Sequence, residues 1–370
     1  MELSYWEYKS WLANIDFTII GSGIVGLSCA IQLKKRFPEA KVLVLEKGML
    51  PQGASTKNAG FACFGSISEV LSDLKNHSEE EVVSLVDQRY KGIQRLRTML
   101  GDHKIGYLNL GGHELFLEKD QELFDRCMSE MEGINKLLAP IFGKPSFVLQ
   151  ENRFKFQGIQ PHYITHQFEG QIDTGNMMQS LVRLAQREGI QILNNCPVTT
   201  YVENGKGVTV ITPEMEFDTN KLFIATNGFA STLTKELVQP ARAQVLITAP
   251  IEGLKLKGTF HFDEGYFYFR NIDNRVLFGG GRNLDFQTET TTDFGQTAKI
   301  QNALEELLKT VILPDTPFQI DQRWSGIMGV GQQKNPIVKQ LSNHVYCGVR
   351  LGGMGIAIGS LVGHELAMLH

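Results

Sequence analysis

The chain has 370 residues, of which 42% are hydrophobic and 21% charged, a composition that supports a sizeable core and excludes disorder as the default state. Its 36 basic and 40 acidic side chains leave a formal net charge of −4 and are scattered along the whole sequence, so no basic surface is offered to nucleic acid. Five cysteines, Cys29, Cys63, Cys127, Cys196 and Cys347, are odd in number, far apart and without a C-x-x-C pair, which argues against a disulfide framework and against a zinc or other metal site.

The first twelve residues mix acids and aromatics where a secretory signal needs a basic start and an unbroken apolar run, so no signal peptide is expected. Continuous β-branched residues over 16–20 predict a short buried parallel strand. Ile24, Leu27, Ile31 and Leu33 then keep helical spacing until Pro38, and residues 41–45 predict a second buried strand, completing one βαβ unit. Val82, Val86, Tyr90, Ile93, Leu96 and Leu100 predict a long amphipathic helix over 79–100 that packs into the core. A second helix is expected over 118–138 and a third over 173–188, followed by strands at 191–193, 208–211 and 222–225 that resume the βαβ pattern. Strands near 244–248, 266–269 and 275–278 are joined by short turns and predict a largely antiparallel sheet. From Val345 the chain gives a strand, a glycine cluster and a final helix, and its longest apolar runs are too short to cross a bilayer. A cytoplasmic protein without a membrane span is expected. The pattern is α/β: a Rossmann-like domain assembled from 15–75, 150–240 and 320–370, with an inserted α+β substrate domain of 76–149 and 241–319.

Gly21-Ser22-Gly23-Ile24-Val25-Gly26 stands between a predicted strand and a predicted helix, the context in which G-x-G-x-x-G signals a dinucleotide. Gly21 allows the tight turn, Gly23 removes the side chain that would block the pyrophosphate, and Gly26 lets the helix pack closely on the sheet. Glu46, followed by Lys47, ends the second strand twenty residues after Gly26, where a carboxylate accepts ribose hydroxyls and repels a 2′-phosphate. FAD and NAD both use this fingerprint. Gly53-Ala54-Ser55-Thr56-Lys57-Asn58-Ala59-Gly60 supplies small residues and backbone donors suited to a pyrophosphate and ribityl chain; Thr226 and Gly228 close a later strand; and Gly352-Gly353-Met354-Gly355-Ile356 opens the last helix, whose N-terminus favours negative charge on a reduced flavin.

In the order and spacing of these motifs, together with Gly170-Gln-Ile-Asp173, nearly the whole chain resembles the D-amino acid oxidase superfamily of FAD enzymes, in the branch of glycine oxidase, sarcosine oxidase and gamma-glutamylputrescine oxidase. The resemblance implies non-covalent FAD held by the residues above and by Val198. It also implies hydride transfer from the carbon beside an amine to flavin N5, with oxygen or another acceptor taking the electrons. An NAD-dependent dehydrogenase and a catalytically inactive nucleotide-binding protein are the alternatives.

The resemblance places Tyr266, Tyr268, Arg270 and Arg282 on the sheet over the flavin, although Tyr266 and Tyr268 equally fit one strand face covering the core. Glycine oxidase-like members hold the substrate carboxylate with an arginine after a Trp-x-Gly run; here Trp324-Ser-Gly-Ile-Met328 puts a methionine there, and Arg350, just before the terminal glycines and Met354, is the candidate replacement, although it equally fits a surface cation or a structural salt-bridge partner. The stretch 324–332 has no cysteine for the covalent flavin link of sarcosine oxidase-like members, and Leu277 stands where those members carry an oxygen-activating lysine. His113 and His261 read as hydrogen-bonded structural residues before they read as bases.

Overall fold

A computed structural model describes residues 2–370. The two apolar runs form the strands Ile15–Ile20 and Val42–Leu45, buried along nearly their whole length, as central strands covered on both faces must be. They belong to a sheet ordered Ile337–Gln340, Val345–Val349, Glu216–Ile224, Ile15–Ile20, Val42–Leu45 and Gln191–Leu193. The pairings from Val345–Val349 to Gln191–Leu193 are parallel, and Ile337–Gln340 joins the edge antiparallel. The expected resumption of βαβ at 208–225 is corrected. Gly207–Ile211 and Glu216–Ile224 are antiparallel neighbours, with Thr200–Asn204 beyond them, because the four residues between Ile211 and Glu216 are too few for a helical crossover.

The second sheet is ordered Ile320–Val330, Gln239–Thr248, Arg275–Gly280, Phe267–Ile272, Thr259–Phe262, Gly112–Glu114, His162–His166 and Phe147–Glu151. All its pairings are antiparallel except that of Thr259–Phe262 with Gly112–Glu114. The expected boundaries at 150 and 320 thus fall within the second sheet, since Phe147–Glu151, His162–His166 and Ile320–Val330 take their ladder partners there. The helix expected over 118–138 is a 3-10 turn at Glu118–Asp120 followed by Gln121–Phe142, which runs through Pro140 to a left-handed cap at Gly143.

The final helix, Gly355–Met368, lies between the helices Ile24–Arg36 and Glu79–Leu100 at backbone contact. A side-chain carbon added at Gly363 would stand 2.5 Å from Val25 O, and one at Gly92 would stand 2.0 Å from Ala357 O. Ser360 Oγ donates to Gly92 O at 2.7 Å. The final helix is thereby locked against the helices Ile24–Arg36 and Glu79–Leu100. Among the described residues no helix is long and apolar enough to cross a membrane. Gly363→Val should destabilise the fold by about 1–3 kcal/mol or more, because the added carbons have no space; a lowered midpoint in denaturant unfolding is the expected result, and an unchanged midpoint would show that the two helices separate easily.

Candidate cofactor and substrate site

The fingerprint folds as its glycines require. Gly21 leaves the first strand at φ +105°, where a side-chain carbon would stand 2.7 Å from Ala225 O; at Gly26 it would lie 1.9 Å from Gly21 O. At Gly23 the obstacle is Ser55 Oγ, 2.8 Å away, and the same hydroxyl accepts the Ile24 N–H at 3.0 Å. Ser55 therefore stands at the N-terminus of the helix that also carries Val25, where free N–H groups and the helix dipole favour an anion. Glu46 is buried and fastens this turn: its Oε2 accepts Ser22 N and Ser22 Oγ at 3.1 and 2.7 Å, and its Oε1 accepts Gly48 N at 3.0 Å. Oε1, which accepts one bond where Oε2 accepts two, retains acceptor capacity for a ribose hydroxyl. Val198 is partly buried against the apolar cluster that contains Ile20 and Leu45, and the Lys47 ammonium lies 3.3 Å from the centre of the Phe229 ring.

Two asparagines splint the remaining motifs. Asn58 closes the turn Ala54–Lys57 by donating to Ala54 O and Ser55 O, and its Oδ1 accepts Gly60 N and Thr174 Oγ1. Gly60 takes φ +75° and has no room for a side chain, since Ile172 O would be 2.4 Å away. Asn227, itself at φ +44°, accepts the N–H groups of Arg350 and Leu351 at 3.1 and 3.2 Å. It joins the strand end at Thr226 and Gly228 to the glycine cluster, a role that sequence reasoning missed although an asparagine before a glycine at a strand end is a signal for the left-handed region. Gly352 N donates to Gly329 O, and Gly352 and Gly353 take φ +58° and +85° before Met354 caps the final helix ahead of Gly355 and Ile356. The fit to a dinucleotide can be tested on this chain alone: the cradle would be filled by any side chain, and Thr226 Oγ1 is buried without a hydrogen-bond partner.

One face of the second sheet meets these motifs. Ala59, Phe61, Val245, Ile247, Leu277, Tyr268 and Trp324 form an apolar wall, and Trp324 Nε1 donates to Lys57 O at 3.0 Å. The shared-strand-face reading of the two tyrosines is corrected. Tyr266 precedes the strand Phe267–Ile272 and packs on Phe286 and the cluster behind the sheet, while Tyr268 packs on the wall, its phenol pushed up to about 12 by burial. Arg270 is buried and donates to Ile172 O at 2.7 Å, pinning the loop at Gly60. Arg282 stacks over Phe286 at 4.8 Å. Arg350, at φ +66°, directs Nε and Nη2 to Asn335 O. Met328 Sδ would be 3.4 Å from a side-chain carbon at Gly353, so the methionine reaches the glycine cluster. Met354 Sδ in turn lies 3.7 Å from Cys63 Sγ.

The segment 63–69 is held by buried ionisable side chains. Glu169 Oε1 accepts Phe64 N and Gly65 N at 2.6 and 3.1 Å; Glu114 accepts Ser68 N at 3.1 Å and the Ser68 hydroxyl; Arg89 Nη1 donates to Phe64 O at 2.6 Å. Burial raises the Glu114 carboxyl to about 7 and the Glu169 carboxyl to about 8. His113 Nδ1 meets Thr165 Oγ1 at 2.8 Å, and burial lowers this ring to about 3, so it stays neutral and structural. His261, also buried, is lowered by the same cause. All five cysteines are free. No group of three or more metal-ligating side chains occurs among the described residues.

A parallel-sheet domain with a closed dinucleotide cradle, facing the apolar wall of a second sheet, defines a dinucleotide-dependent oxidoreductase. The family model described as FAD dependent oxidoreductase (DAO) matches residues 16–369, and the chain belongs to this family, with FAD as its cofactor. The alternatives of an NAD enzyme and of an inactive relic give way to this assignment. The probable oxidoreductase OrdL of Haemophilus influenzae is 22% identical over 385 residues, covering 96% of this chain and 83% of that protein. Sarcosine oxidase subunit beta of Rhizobium meliloti is 25% identical over 348 residues, covering 90% and 78%. Among solved structures, glycine oxidase from Bacillus cereus superposes with a TM-score of 0.77 at 17% identity, covering 96% of this chain and 94% of that one. L-proline dehydrogenase from P. horikoshii gives 0.74 at 18%, covering 96% and 93%. At these identities the structures attest the fold.

Gly23→Val should abolish FAD affinity while leaving secondary structure intact, because the only protein atoms that the added carbon meets belong to the Ser55 side chain; fluorescence titration with FAD measures this, and retained affinity would show the cradle misassigned. A pH dependence follows from the two raised carboxyls. Both bind protons more tightly in the folded chain than in the unfolded one, so their stabilisation is complete below the ordinary carboxylate pKa of about 4.3 and is lost as pH rises through about 7 and 8. Unfolding midpoints should therefore fall as pH rises from about 4.3 and level off above about 8, and Glu169→Gln should flatten the fall; a parent and variant with superimposable profiles would contradict it.

Proposed function

We propose that this chain oxidises the carbon–nitrogen bond of a small amine or amino acid, and that its electrons pass to an acceptor other than molecular oxygen more readily than to oxygen. The observation that carries the reading is the wall of Ala59, Phe61, Val245, Leu277, Tyr268 and Trp324 set against the cofactor loop. It contains no carboxylate, imidazole or amine. FAD, when bound, supplies the hydride acceptor, so the protein needs no dedicated acid–base pair. The wall excludes water and orients a carbon–hydrogen bond, and the Tyr268 phenol, raised by burial, stays protonated and takes no proton from the substrate. Relatives named for sarcosine, glycine and L-proline, all molecules with a carbon–nitrogen bond, support the same substrate type.

Gly21, Gly23, Gly26 and Ser55 would hold the pyrophosphate, Glu46 the adenosine ribose, Thr226 and Gly228 the bridging region, and Gly352 to Ile356 the flavin edge. The attachment is non-covalent: the stretch 324–332 lacks a cysteine, and burial pushes the Cys63 thiol well up, leaving it a poor nucleophile. The preference against oxygen rests on Leu277. It is buried in the wall where a fixed cation would stabilise developing superoxide, and the nearby Lys57 ammonium lies instead 5.2 Å from the Phe294 ring centre.

Purified protein should be yellow, and anaerobic mixing with a panel of amines and amino acids should bleach the flavin band for at least one class; a panel that leaves the oxidised spectrum untouched would overturn carbon–nitrogen oxidation. In stopped flow, reduced protein should reoxidise slowly in aerated buffer and faster with an artificial acceptor, and Leu277→Lys should speed the oxygen reaction by about tenfold or more, equivalent to about 1.4 kcal/mol of barrier. Fast reoxidation of the parent would contradict the acceptor preference.

A further inference from the structure

The chain enters its first sheet through a helix that nothing in its own fold supports. One α-helical turn, Tyr5–Glu7, continues as a π-turn, Tyr8–Leu12, and every residue from Ser4 to Trp11 is exposed; Leu12 alone of this helix is buried. Trp6 and Trp11 are 69% and 47% exposed, and Tyr5 and Tyr8 are comparably open. A helix this short is not stable in water unless it packs against something. Its four aromatic side chains offer on the order of 400–500 Å² of surface, an area that marks a contact site. The Lys9 ammonium lies over the Tyr5 and Trp6 rings, at 5.6 and 5.9 Å from their centres.

A cleft of about 630 Å³ opens at the same end of the sheet, lined by Phe17, Arg36, Phe37, Glu39, Lys221 and His370. Lys41 ties the two features together: its Nζ donates to Ala13 O at the foot of the helix and its N–H to Asp16 Oδ2 at the cleft, at 2.9 and 2.8 Å. The rings of Phe17, Phe37 and His370 pack with centres 5.3–5.5 Å apart, so the cleft is aromatic too. Arg36 and Lys221 donate to the carbonyls of Ala367 and Asn343, and no ion pair engages either of them, or Glu39, among the described residues.

We infer that residues 5–11 are an arm that docks in the cleft of a second copy of this chain, forming a two-fold dimer. The charges match, since Glu7 of the arm meets Arg36 and Lys221 while Lys9 meets Glu39. A two-fold axis uses each surface twice, so arms and clefts together bury on the order of 1,600–2,000 Å², the size of a standard stable interface. A membrane surface fits the arm less well: residues 2–12 carry Glu2 and Glu7 against Lys9 alone, whereas a helix lying on anionic lipid is rich in Lys and Arg. The strand Ile15–Ile20 runs from the cleft to the cofactor turn at Gly21, roughly 15 Å away, so dimerisation leaves the flavin site untouched.

Sedimentation equilibrium of the holoprotein at micromolar concentration should give twice the mass of one chain, and dilution through dissociation should red-shift the tryptophan emission as Trp6 and Trp11 meet water. Trp6→Ser with Trp11→Ser should weaken the dimer at least hundredfold with the circular-dichroism and flavin spectra unchanged. Lys9→Glu and Glu39→Lys should each weaken it several-fold, and the two combined should restore it. A monomeric parent, or a dimer indifferent to the two serines, would overturn the arm. Charge variants without effect, or without rescue in combination, would overturn the cleft as its seat. Vesicles of phosphatidylcholine and phosphatidylglycerol should not retain the parent; cosedimentation of a monomeric parent with them, lost in the double serine variant, would overturn the second copy and give the arm to a membrane surface.

Discussion

The backbone contact between the last helix and the helix Ile24–Arg36 is the constraint on which the site depends. Gly363 lets Gly355–Met368 approach Val25 O, and at Gly359 an added carbon would meet the Ile24 side chain at 2.9 Å. Two helices more than 300 residues apart in sequence thus present their N-termini to the same region. A dinucleotide carries its negative charge at the pyrophosphate and, when reduced, at the flavin's pyrimidine edge, and in the site proposed above each helix end would offer unpaired N–H groups and a partial positive charge to one of these. Asn227 then ties the strand end between them to Arg350 and Leu351, so that the cofactor motifs are held by buried polar bonds as well as by packing.

The second sheet divides its labour along its width. At one end the wall around Leu277 and Trp324 is apolar, suited to a reaction in which the cofactor does the redox chemistry and the protein keeps water out. At the other, Glu114 and the neighbouring Glu169 hold the segment 63–69 through backbone N–H groups, and burial keeps both carboxyls protonated over much of the neutral range. Arg89 and Glu69 lie where these two zones meet the glycine cluster.

The cofactor domain was legible in the sequence because its signals are local: three glycines at fixed offsets, a strand on either side and an acid at the second strand's end. The turn made by Asn58 and Gly60 rests on signals of the same local kind. The substrate side was not, because its determinants come from contacts between distant segments. Tyr266 and Tyr268 looked equivalent at a spacing of two, yet the strand begins only at Phe267 and turns them to different neighbours. Arg350 looked free to reach the site, but a left-handed backbone and the Asn335 carbonyl draw it away. One signal was present and unread: Arg89 sits in the apolar stripe of an otherwise regular amphipathic helix, a position that a solvated surface arginine would not occupy. The antiparallel turn at 212–215 and the strand at 320–330 show the limit of assigning domains from strand order alone.

Hydrogen–deuterium exchange with and without flavin tests the central claim most directly. If the cofactor site is built jointly by the start, middle and end of the chain, removing FAD should raise exchange together in residues 21–26, 53–60 and 350–356, and restoring it should protect all three. Protection confined to 21–26, with the other two segments indifferent to FAD, would contradict the account.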